Sequence, residues 1–206
     1  LKSNIRLWGG VPERNRGPYA LGCDLSHGAE AAFSVATAID KGGEQVLEYG
    51  TNVVKITDFA FQVVMLARWL AGDEGDGHVL IDFEANGPLA KPFAAELLRL
   101  QYGNIHSSEI RSNTIRRVGE IPTYLGTVNR DGGLANFREL ERAILSLDTI
   151  PRSVLVGEDM RLFSKDEDGR PTFPRGRKEG HGDFLHAYGV AWWRARSVAA
   201  IENRAE

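Results

Sequence analysis

Residues 19–39 read YALGCDLSHGAEAAFSVATAI, and this stretch decides the fold. It is a strand, a tight polar turn and a second strand running back. Tyr19, Leu21 and Cys23 alternate with Ala20 and Gly22, none is charged, and Asp24 ends the run. Such a strand is expected to be buried on both faces, which leaves Asp24 as a carboxylate at the end of an apolar element. A lone buried carboxylate is costly unless a partner compensates it. The natural partners are a cation, a metal ion or the backbone N–H groups of the turn Ser26-His27-Gly28. A metal ion at Asp24 is the expectation, and acids at other element ends are candidates for its remaining ligands.

The chain has 206 residues, 42% of them hydrophobic and 26% charged, enough for one sizeable domain with its own core. No apolar run approaches the roughly 20 residues that cross a bilayer, so no membrane partner is expected. The opening LKSNIRLWGG lacks the apolar segment of a signal peptide and has no initiating Met, as in a piece of a longer chain. Cys23 stands alone, which excludes an internal disulfide and fits a reducing compartment. A net charge of −3 argues against an overall electrostatic grip on nucleic acid. Contact with DNA must therefore use local basic patches.

Working outward, residues 1–18 are rich in proline, glycine and arginine and read as an irregular lead-in. On the other side, Asp40-Lys41-Gly42-Gly43 turns the chain into a third strand over 45–49, which makes an antiparallel meander. Thr57 or Asp58 caps a helix over 59–70, with Phe59, Val63, Leu66 and Leu70 on one face. The loop GDEGDG at 72–77 is acidic and solvated. HVLIDF at 78–83 is a fourth strand ending in Glu84, and Asp82 faces the same way as Glu84. A helix over 91–102 and a short strand over 104–106 come next.

Residues 107–126 are polar and basic, with Arg111, Arg116 and Arg117. Residues 131–147 form an amphipathic helix through Phe137, Leu140, Ile144 and Leu147. A β-hairpin is predicted over 160–173. A last helix opens at His181-Gly182-Asp183 and runs to 196, with a frayed tail over 201–206. This order predicts a mixed α/β sheet with helices on both faces. The strand ending in Glu84 is expected to lie parallel beside the one ending in Asp24. Both acids then share the carboxyl edge, where open sheets of this kind bind ligands.

Asp24, Glu84 and Asp183 thus stand at element ends. Taken singly, each has an ordinary structural reading as a turn former or helix cap. Their joint placement is what points to chemistry. Close together without a cation, they would repel and keep at least one proton. Two hard divalent ions, Mg²⁺ or Mn²⁺, remove that conflict. Two such ions about 3.5–4 Å apart clamp an in-line phosphoryl displacement, which implies phosphodiester hydrolysis. Asp24 is the candidate to bridge both. Asp82, His27 and His181 are candidates to support the ligands from behind. Arg170, Arg175, Arg177 and Lys178 are candidates to track a DNA backbone.

Three phrases carry a family resemblance. YALGCDLSHGAEAAFSVATAID resembles the opening of the nuclease domain of the large terminase subunit of tailed bacteriophages. VLIDFEANGPLAKPFAAELLR is similar to its second acidic motif, and EGHGDFLHAYGVAWW to its third. The resemblance spans 19–195 in order and spacing. It implies an RNase H-like (RuvC-type) fold, with the first three strands antiparallel and a nuclease domain over 19–200. It implies that Asp24, Glu84 and Asp183 bind two ions and that the enzyme cuts concatemeric double-stranded viral DNA during genome packaging. Many relatives carry two adjacent acids in the third motif; here Gly182 precedes Asp183, one acid fewer for the second ion.

By resemblance the partners are an ATPase motor domain in the full-length chain, the portal protein and the small terminase subunit, in the cytoplasm of the infected host cell. The chain has no GxxxxGK[ST] phosphate loop, so the resemblance covers the nuclease half, with 1–18 the remnant of a linker. Rival readings are another RNase H-like nuclease, such as a Holliday junction resolvase or transposase core, an actin-like or sugar-kinase ATPase, and a binding module without metals.

Overall fold

A computed structural model describes residues 3–9, 17–26, 32–85, 87–109, 123–127, 132–165, 167, 171–172 and 182–202. The strands β1 (Ser3–Leu7), β2 (Tyr19–Asp24), β3 (Ser34–Ile39), β4 (Gln45–Thr51) and β5 (Val79–Phe83) form one sheet in the order β1-β4-β3-β2-β5. The meander is present: β2 pairs antiparallel with β3, and β3 with β4. β5 lies parallel to β2, in register from Tyr19 opposite Val79 to Cys23 opposite Phe83.

Helices α1 (Ile56–Ala71) and α2 (Ala90–Arg99) cover one face, and α3 (Gly132–Leu145), α4 (Val154–Leu162) and α5 (Asp183–Glu202) the other. Two small strand pairs accompany the main sheet: β6 (Ser107–Glu109) with β7 (Thr123–Leu125), and β8 (Ser164–Lys165) with β9 (Pro171–Thr172). Among the described residues no helix is long and apolar enough to cross a membrane.

Strand alternation divides the core in two. Tyr19, Leu21 and Cys23 pack with Phe59, Val63, Phe93 and Leu97. Ala20 packs on the other side with Val35, Ile39, Ala187 and Ala191. This two-sided burial is why β2 carries no charge before Asp24. Gly22, on the α5 side, marks the closest approach of helix to strand. A Cβ there would lie 2.3 Å from the Ala191 nitrogen and 2.5 Å from the Ala187 oxygen. Both atoms are backbone and cannot swing aside.

Four expectations change. Residues 3–7 are not irregular: β1 pairs antiparallel with β4, Ser3 to Thr51 through Leu7 to Leu47. An edge strand needs only its backbone groups matched, so its mixed side chains hid it; Arg6 also pairs with the buried Glu48 at 2.6 Å. Neither Thr57 nor Asp58 caps α1. The cap position is Lys55, without a side-chain bond, and both residues lie inside the first turn. Met160–Leu162 are helical, so the hairpin is the shorter β8–β9 pair rather than 160–173. Ser153 caps α4 by accepting from the Leu155 and Val156 N–H groups. Residues 201–202 continue α5 instead of fraying.

The packing at Gly22 yields a stability test. Gly22→Ala forces α5 off the sheet and should lower the melting temperature by about 5–10 °C, the scale of a core overpacked by 1–3 kcal/mol. Gly157→Ala, within α4 where the added methyl meets nothing within 4 Å, should leave it unchanged or slightly raised. Thermal denaturation of the two variants checks the contrast.

Candidate functional site

The β2–β5 register positions the first two acids. Cys23 and Phe83 are the last paired residues, and Asp24 and Glu84 come directly after them on the two strands. Each is two residues beyond a position that faces α5, Gly22 and Asp82 respectively, so continued alternation keeps both acids on that face. Glu84 remains extended, bridged in parallel to Thr127.

α5 brings the third acid. Ala187 and Ala191 sit astride Gly22, four residues apart on one stripe of the helix. Asp183 lies one turn earlier on the same stripe, which carries it past the end of β2 toward Asp24. Its Oδ2 accepts the Phe33 N–H at 2.6 Å, tying it to the entrance of β3. The residue before it, Gly182, has φ +82°, a conformation favouring glycine, and has no side chain to cap the helix. Asp159 of α4 does so instead: its buried carboxylate accepts the Phe184 N–H at 3.0 Å and the Leu185 N–H at 3.1 Å. Asp159 was not foreseen from the sequence, because nothing local signals a cap supplied from another helix.

The electrostatics join these acids. The Asp24 carboxyl is pushed well above the usual aspartate range, first by burial, then by the negative charges of Asp183 and Glu84. The Leu25 N–H opposes the shift, and Asp159 adds to it. Asp24 is therefore the member that feels all the others. The acids are electrostatic neighbours and not a closed cage: among the described residues no three carboxylate, imidazole or thiol groups stand together as a ready metal site. Cys23, buried beside them, has its thiol pushed up by burial and by Asp82 and Asp24, which leaves it protonated and unreactive.

Asp82 plays a different part from Glu84. It is fully buried and engaged by Arg194, whose Nε lies 2.5 Å from its Oδ2. The Thr127 hydroxyl donates to the same oxygen at 2.6 Å. His27, His181, Arg170, Arg175, Arg177 and Lys178 lie outside the described residues, as do Arg111, Arg116 and Arg117. His186 stands one turn after Asp183, and burial lowers its imidazole to about 4, so it is neutral at pH 7.

Because the pKa of Asp24 is raised in the folded chain, its ionisation opposes folding. Stability falls as pH rises from the ordinary value of about 3.9 through the folded value. In EDTA, Asp24→Asn should therefore melt about 2–5 °C above the parent at pH 8. That gap should close as pH is lowered toward 4, as measured by differential scanning calorimetry across the pH series.

No protein-family model matches the chain, and no curated protein matches it in sequence. Solved structures do. The crystal structure of the large terminase nuclease from thermophilic phage G20c with bound magnesium superposes with a TM-score of 0.64, at 15% identity over 94% of this chain and 89% of that one. The structure of that nuclease with bound cobalt gives 0.59 at 15% identity, over 86% and 81%. A further structure of the same nuclease gives 0.58 at 16%, over 86% and 82%. The chain thus shares the RNase H-like α/β fold of the large terminase nuclease from phage G20c.

Proposed function

We propose that the chain is a divalent-metal-dependent endonuclease of double-stranded DNA, with Asp24, Glu84 and Asp183 as its ion ligands. The observation that carries this reading is the parallel register of β2 with β5, which ends both strands in an acid at one edge, where the charges of Asp183 and Glu84 reach Asp24. Three carboxylates from three separate elements act on one another electrostatically at one sheet edge, and their charges are a burden on the fold unless a cation joins them. The donor set is all oxygen and suits Mg²⁺ or Mn²⁺. Bound ions would polarise a phosphodiester and activate water for in-line displacement.

The remaining roles belong to the chain itself. Asp24, which feels both other acids, is the residue suited to touch two ions. Asp183 is oriented by the Phe33 N–H and by the cap that Asp159 places on its helix. The superposed neighbours are named as terminase nucleases, with magnesium and cobalt bound in two of them. By that likeness the substrate is concatemeric viral DNA cut during packaging. An ATPase motor domain, portal protein and small terminase subunit would be the partners, in the cytoplasm of an infected cell. The domain carrying this activity would be 19–200 together with β1, which completes its sheet, and the last residues of α5.

Plasmid relaxation tests the reading. The protein should nick supercoiled DNA in Mg²⁺ or Mn²⁺ and stop in excess EDTA. Asp24→Asn, Glu84→Gln and Asp183→Asn should each keep the fold and lose at least about 100-fold in rate. Undiminished cutting by Asp24→Asn, or cutting in EDTA, would contradict it. Comparable cleavage of linear duplex and four-way junction is expected, whereas junction-only cleavage would reassign the substrate.

A further inference from the structure

We propose that Thr127, Asp82 and Arg194 form a brace that positions Glu84 beside Asp24, acting through Glu84 and not on the ions. The proposal rests on the metal-site reading above. β5 ends at Phe83, and its parallel pairing with β2 stops there too. Glu84 therefore needs another holder. Thr127 supplies it on both sides: its N–H donates to the Phe83 carbonyl at 2.7 Å, and its carbonyl accepts the Ala85 N–H at 2.8 Å. Both peptide groups flanking Glu84 are thus held by one residue far along the chain, the same residue that bonds Asp82 across a separation of 45 positions.

The Thr127 side chain is held in turn. Its hydroxyl donates to Asp82 Oδ2 at 2.6 Å and accepts from Arg194 Nη2 at 2.8 Å. Arg194 closes the triangle on the same Asp82 oxygen. The other oxygen, Oδ1, accepts the Phe83 N–H at 2.8 Å, one residue before Glu84. The side chains of Asp82 and Arg194 are only 1% and 13% exposed. Apolar residues of similar volume would pack such a site without desolvating two charges, and commonly with equal or better stability. What the ion pair adds is direction.

Arg194 lies eleven residues after Asp183, three helical turns, and so on the same side of α5. Its guanidinium therefore ties the helix that carries Asp183 to the strand that carries Glu84. The register between those two acids is set by this contact as well as by packing at Gly22. His106 extends the edge: its N–H donates to the Ile81 carbonyl, and its carbonyl accepts the Gly126 N–H next to Thr127.

Calorimetric Mn²⁺ titration of the DNA-free protein, with plasmid nicking at saturating Mn²⁺ alongside, tests the brace. Thr127→Val should bind Mn²⁺ about 10–100-fold more weakly, the usual cost of losing a group behind a ligand, while Thr127→Ser binds as the parent does. The double variant Asp82→Leu/Arg194→Leu replaces the ion pair with an apolar pair. It should melt within a few degrees of the parent yet show the same loss of Mn²⁺ affinity. A merely structural pair would leave the affinity untouched. Parent-like Mn²⁺ binding and nicking by folded Thr127→Val and by the double leucine variant would overturn the brace alone. A parent protein that binds no Mn²⁺ would overturn the site reading, and the brace with it.

Discussion

The seating of α5 on Gly22 governs the geometry of the whole carboxyl edge. Glycine removes the one atom that would keep the helix backbone off the strand, so Ala187 and Ala191 settle directly onto β2. That contact fixes where the helix starts along the sheet. Asp183 is consequently held at the carboxyl edge beside Asp24, and Arg194 is held three turns deeper against Asp82. A packing constraint in the apolar interior thus decides which charged groups meet at the rim.

The rim is where the fold works against itself. The buried acids elsewhere have compensating partners. Asp82 has Arg194, Glu48 has Arg6, and Asp159 has the N–H groups that open α5. Asp24 has the Leu25 N–H set against the charges of Asp183, Glu84 and Asp159. Two apolar cores, one on each face of the sheet, hold these like charges together. Local destabilisation of this kind, offset elsewhere in a fold, is characteristic of sites that await a ligand.

Much of this could be read from the chain because the decisive signals are local. Alternation in YALGCD, glycine-rich turns and the helical spacing of Phe59, Val63 and Leu70 gave the meander and its first helix. The acids at strand and helix ends followed from those boundaries. What escaped the reading depends on partners distant in sequence. β1 is recognisable only by its pairing with β4. α4 was obscured by its valines and by Gly157, and Ser153 was the overlooked start signal. Asp159 caps a helix far along the chain, and Thr127 braces a glutamate from the opposite side of an edge. Asp82 and Glu84 share a face, and the strand-end position alone favoured Glu84 as the ligand; the ion pair with Arg194 accounts for Asp82 as a structural acid.

Anomalous diffraction from crystals soaked in Mn²⁺ addresses the account at its root, since it locates ions without relying on catalysis. Manganese peaks coordinated jointly by Asp24, Glu84 and Asp183, with Asp24 shared wherever two ions are present, are the predicted result. An edge that stays empty at millimolar Mn²⁺, or ions bound only at other acids, would contradict it.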